Sequence, residues 1–173
     1  VTNKFDGRML SNWLPFLKDK IDYITGGTGH YLTDESIREE AIKIKSQLKN
    51  SDDEIILSNF GFIFPYKGIE ELLEAMNRLR KKGYPLRLLA IGGFDFEMNL
   101  ARSYFDKLQK MTEDLDLKAC IKWTGFCDAR KASLFLLASD ICVMPFTDGA
   151  SEWRSSFLSA LSHGLPAITT YTE

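Results

Sequence analysis

From Glu54 onward the apolar positions alternate between two patterns. Short, nearly all-apolar runs fall at Ile55–Phe60, Leu86–Ile91, Ile121–Thr124, Ile141–Met144 and Ala167–Thr170. These predict five strands. Between them lie stripes at spacings of three and four, which predict helices. The first stripe holds Ile69, Leu72, Leu73, Met76 and Leu79, ending at Gly83 and Pro85. The second holds Leu100, Tyr104, Leu108, Met111 and Leu115. A shorter helix follows Asp128, a good N-cap, and carries Ala132, Phe135 and Leu136. The last is marked by Phe157, Leu158 and Leu161 and ends at His163-Gly164.

Strand-helix alternation with strands apolar on both faces predicts an α/β fold, a Rossmann-like parallel sheet covered by helices on both faces. Ligands of such sheets sit beyond the carboxyl ends of the strands. That rule selects four loops: Gly61–Gly68, Gly92–Glu97, Gly125–Asp128 and Pro145–Arg154.

The first 53 residues read differently. Asn12–Leu17 is aromatic-rich, Ile21–Thr25 predicts a short strand before the turn Gly26–Gly29, and Thr33–Asn50 predicts a charged helix. Ser36 and Glu39 stand at capping-box spacing. The expected division is therefore residues 1–53 as an inter-domain arm or tail of a preceding domain, and 54–173 as the sheet domain.

Composition narrows the class. The chain has 173 residues, 45% of them apolar, enough for one packed domain. With 22 basic and 24 acidic residues the net charge is -2, which argues against nucleic acid as a partner. Cys120, Cys127 and Cys142 fit no zinc or Cys-x-x-Cys spacing and read as reduced thiols of a cytoplasmic protein. No run approaches membrane-spanning length. His30 and His163 are the only histidines, so no Ser-His-Asp set or four-ligand metal site is expected.

Of the four loops, the first places Lys67-Gly68 at a helix start, where amide N–H groups and the helix dipole favour an anion. A solvated surface lysine is the equal alternative. Gly92-Gly93 permits close backbone approach or an ordinary tight turn, and no GxGxxG fingerprint accompanies it. Gly125 and Phe126 offer backbone groups to a base edge, with Asp128 read as a cap. Arg130 and Lys131 either reach a phosphate or are solvated helix residues. The fourth loop is long, small and polar. Arg154 and exposed amides there suit an anion, and Ser151, Ser155, Ser156 and Ser159 exceed what capping needs.

Taken in order, these pieces resemble the carboxyl-terminal domain of GT-B glycosyltransferases of the retaining, glycogen-synthase and mannosyltransferase-like group. The resemblance runs from Glu54 to Thr170. It rests on the loop ending Lys67-Gly68, the segment Leu89–Gly93, Trp123-Thr124-Gly125-Phe126, the run Ala138–Pro145, and Leu158–Pro166. It implies transfer of a glycosyl group from a nucleoside-diphosphate sugar to an acceptor hydroxyl, with no cofactor and no metal. Donor diphosphate and sugar would be met by Gly61, Lys67, Gly68, Gly93, Ser151, Glu152, Arg154 and Ser155, and the nucleoside by Gly125, Phe126 and Ser159. The chain departs from the pattern at three places. Phe62 stands where the family has a second diphosphate-binding arginine, and Ser151 and Ser159 stand where it has two glutamates. Glu152, one residue on, is the sole candidate to replace the first and to act catalytically. The resemblance further implies a fragment. The acceptor domain would precede it and a closing helix pair would follow, so the chain alone is expected to be inactive. The acceptor is unspecified, and membrane association of the full protein stays open.

Three other readings compete with this one. A non-catalytic nucleotide-binding or regulatory domain on the same fold is favoured by the replaced glutamates. A receiver or flavin domain is disfavoured because Asp52 and Asp53 precede the first strand. A dehydrogenase lacks its glycine fingerprint.

Overall fold

In the computed structural model, residues 4–22, 34–94, 99–151 and 154–171 are described. The turn Gly26–Gly29, His30, Glu152 and most of the expected strand at Ile21–Thr25 lie outside them.

The five expected strands form: β1 (Ile55–Phe60), β2 (Leu86–Ile91), β3 (Ile121–Trp123), β4 (Ile141–Met144) and β5 (Ala167–Thr169). They make one parallel sheet in the order β3-β2-β1-β4-β5. Among the described residues six α-helices accompany them: α1 (Lys4–Trp13), α2 (Glu35–Leu48), α3 (Ile69–Lys81), α4 (Asn99–Asp114), α5 (Ala129–Leu137) and α6 (Ser155–Ser162).

Because successive strand residues point to opposite faces, Ile56 and Leu89 go one way while Leu57 and Leu88 go the other. Leu57 and Leu88 join Leu72, Leu73 and Met76 of α3 and Leu108 of α4 in one core. Ile56 and Leu89 join Phe135 and Leu136 of α5 and Ala160 of α6 in the second. Burial of these side chains, at about 1.5–3 kcal/mol each, is what holds the helices to the sheet.

Three local expectations change. The N-cap of α2 is Asp34 rather than Ser36: Asp34 Oδ1 accepts from Ile37 N at 3.0 Å and from Ser36 Oγ at 2.7 Å. A carboxylate can hold both donors at once, and that displaces the capping box. In α4 the inward position is Ala101, while Leu100 is 58% exposed. In α6 the buried face is Ser156, Ser159 and Ala160, and Leu161 lies outside. Small side chains let α6 settle closely on the sheet, so the largest apolar residues there do not mark its inner face.

Helix α2 packs on α5, with Ile37, Ala41 and Leu134 forming a small third core. Asp140, just before β4, accepts from Ile56 N at 2.8 Å through Oδ2 and from Lys45 of α2 through Oδ1. At the start of β1, buried Glu54 pairs with Arg87 Nε at 3.1 Å. α1 and the 3-10 turn Pro15–Lys20 carry exposed Trp13 and Phe16.

Candidate functional site

The strand order sets the place. The chain leaves β1 outward through β2 and β3, then returns to β4 on the other side. Loops after β1 and β4 therefore diverge and leave a crevice at the carboxyl edge. A cavity of about 320 Å³ lies at this edge. Its lining comes from the loops after β1 (Gly61, Phe62), β2 (Gly92, Gly93) and β3 (Phe126, Cys127), and from the start of α6 (Ser155, Ser156).

Lys67 closes a 3-10 turn, Pro65–Lys67, and does not belong to α3 itself. The first turn of α3 already carries Glu70 and Glu71. The helix start that Lys67 meets is the other one: its Nζ donates to Ser156 Oγ at 3.1 Å, in the first turn of α6. The two residues are 89 apart in sequence. The amine also stands 5.0 Å from the centre of the buried Phe146 ring. Burial, reinforced by the Arg154 guanidinium, brings its pKa down from 10.5 to about 8. Behind it, burial pushes the Cys142 thiol up to about 12, so it is a protonated core residue.

Glycines make this approach feasible. A Cβ on Gly61, at φ +120°, would come within 3.0 Å of Lys67 Nζ and 3.3 Å of Ser156 Cβ. On Gly68, which is left-handed at φ +64°, it would lie 1.8 Å from the Pro145 carbonyl oxygen. On Gly93 it would strike the Phe126 ring at 2.8 Å.

The other expected residues are placed as follows. Arg154 is the N-cap of α6, ion-paired with Asp148 and stacked 4.4 Å from the Phe146 ring centre. Ser155 lines the cavity. Ser159 is buried and its hydroxyl donates to Ser155 O at 2.9 Å, so it turns into its own helix. The carbonyl of half-buried Ser151 accepts from Arg154 N at 3.1 Å, and Ser151 is not among the lining residues. Gly125 sits beside a separate hollow of about 80 Å³, at φ +68°. Arg130 is turned to α2, forking onto Glu40 at 3.2 and 2.5 Å. Asp128 caps α5, accepting from Lys131 N at 2.7 Å. His163 closes α6: Nδ1 donates to Ser159 O at 2.7 Å, which leaves Nε2 for the Ser133 hydroxyl at 2.8 Å.

Five lining residues lie outside the set assigned to donor and nucleoside by sequence: Phe62 and Ser156, which it names only as a lost arginine and one of four serines, and Phe60, Gly92 and Cys127, at or just beyond strand ends. For the last three that position was the available signal. Among the described residues, then, the site joins one desolvated cation, a helix start, and a rim of glycines and phenyl rings. Such a set can hold an anion and a flat apolar ring together.

Residues 40–173 match the family described as glycosyl transferases group 1. No curated protein matches by sequence. Among solved structures, the Anabaena protein Alr3699/HepE in complex with UDP and glucose is similar at TM-score 0.64 and 20% identity, over 85% of this chain and 36% of that one. A glycosyltransferase from Rickettsia africae is similar at TM-score 0.67 and 18% identity, over 97% and 42%. Sucrose-phosphate synthase from Thermosynechococcus elongatus gives 0.65 and 20%, over 98% and 39%. The fold is that of the carboxyl-terminal half of GT-B enzymes. The chain spans well under half the length of these three structures.

Proposed function

Since the chain belongs to the group 1 glycosyl transferases, we propose that it is the donor-binding part of an enzyme that moves a glycosyl group from a nucleoside-diphosphate sugar to an acceptor hydroxyl. The observation that carries this reading is the meeting of Lys67 with the first turn of α6 beside the cavity. The complexes of HepE with UDP and with UDP-glucose lend it support.

Breaking the bond between the anomeric carbon and the β-phosphate oxygen leaves the electron pair on that oxygen, adding one negative charge to the two the diphosphate already carries. Lys67 and the amides of the α6 start are fixed before the reaction and lie in a partly dehydrated crevice, where they favour that charge more than water would. Gly61 leaves the space in which a phosphoryl oxygen would replace Ser156 Oγ as the partner of Nζ. Phe126 and the end of β3 would hold the nucleoside. Retention of configuration, Glu152 as a group near the donor sugar, and an acceptor site in a further domain follow from the family resemblance.

Calorimetric titration with UDP and GDP tests the reading. One of them should bind, and Lys67→Ala should weaken it by about 1–3 kcal/mol, the worth of a charge-assisted contact. Equal affinity in a folded Lys67→Ala chain would remove the lysine from its role. A second reading, nucleotide binding without transfer, is favoured by the inward-turned hydroxyl of Ser159. Product formation from a radiolabelled donor by the full-length protein separates the two.

A further inference from the structure

The walls of the cavity are chemically unequal. On one side Ser155 and Ser156 face it, with Lys67 behind them. On the other stand Phe62 and Phe126, 62% and 59% exposed, with ring centres 5.7 Å apart at an interplanar angle of 74°. Phe126 rests on Gly93, whose missing Cβ makes room for it. Among the described residues, those that line the cavity carry no charge. Nearby cations are already engaged: Arg154 with Asp148, and Arg130 with Glu40. Two phenyl rings kept in water at a cavity mouth offer a flat apolar ligand group both a face and an edge, the arrangement aromatic pairs favour. Every nucleobase presents a π-face suited to such a platform.

We propose that Phe62 is a ligand-binding residue that stacks on the ligand's nucleobase together with Phe126. Phosphate recognition is left mainly to Lys67 and the α6 start. The site then selects its ligand more by the ring than by the number of phosphates. This inference rests on the donor-site reading.

The test is calorimetry with UDP, GDP and the corresponding monophosphates, on the wild-type chain and on Phe62→Ala and Phe62→Trp. Wild type should hold the preferred diphosphate less than about tenfold more tightly than its monophosphate. Phe62→Ala should weaken both by the same factor, between about fivefold and a hundredfold. Phe62→Trp should stay within about twofold of wild type. Unchanged affinities in Phe62→Ala, a loss confined to the diphosphate, or a Phe62→Trp loss as large as that of Phe62→Ala would each overturn the proposal while the donor site stands. A wild-type chain that binds none of the four nucleotides would overturn the donor-site reading, and this inference with it.

Discussion

At Lys67 burial and the neighbouring guanidinium of Arg154 both disfavour the charged amine, which is why it titrates near 8. A bound phosphate reverses that balance. Phosphate groups are fully ionised well below this pH, with a second pKa of about 6. Nucleotide affinity should therefore fall as pH rises from 7 to 9, and binding at pH 8 should take up roughly half a proton, seen as a buffer-dependent enthalpy that Lys67→Met abolishes. Stability runs the opposite way. Between about 8 and 10.5 the unfolded chain holds a proton at Lys67 that the folded chain has lost, so this group's contribution rises with pH across that window. Urea midpoints of wild type and Lys67→Met across this range check the sign. In the sequence the lysine was visible as a candidate, a cation where a helix start prefers acidic residues, with a solvated surface lysine as the equal alternative. Its partner was not. Four serines in the last loop and helix looked alike, and only packing decides that Ser156 faces the lysine while Ser159 turns inward.

At the scale of elements, Asp140 acts as a joint. Its carboxylate takes the Ile56 amide of β1 with one oxygen and Lys45 of α2 with the other. Asp140→Ala should lower stability by about 2 kcal/mol, since a β1 amide loses its acceptor. The loss would appear as a shift in urea midpoint with little change in slope. Gly68→Ala should cost at least as much, because a methyl there meets the Pro145 carbonyl at a left-handed backbone. The strands were read nearly to the residue, because buried parallel strands are continuous apolar runs. Helix faces were read less well. In α6 a serine-alanine face is buried and Leu161 exposed, so ranking by hydrophobicity points the wrong way where close approach requires small groups.

For the whole molecule, the bearing of α2 on the sheet unit is open to measurement. Ile37 and Ala41 bury themselves against Leu134 of α5. A chain begun at Ser51 should lose about 3 kcal/mol or more from that uncovered surface, read as a lower urea midpoint. An unchanged midpoint would make residues before β1 a mere attachment. The sequence could not settle this, because a charged amphipathic helix fits a tether as well as a cover. The topology carries one last implication. β1 and β2 are registered over six residue pairs, but β1 and β4 over only two, Leu57 with Ile141 and Ser58 with Cys142. The sheet's central seam is thus narrow, and Lys67 and Ser156 stand on its two banks. An occupant between them would act as a rivet, fastening the halves of the fold at the line where they are least stitched together.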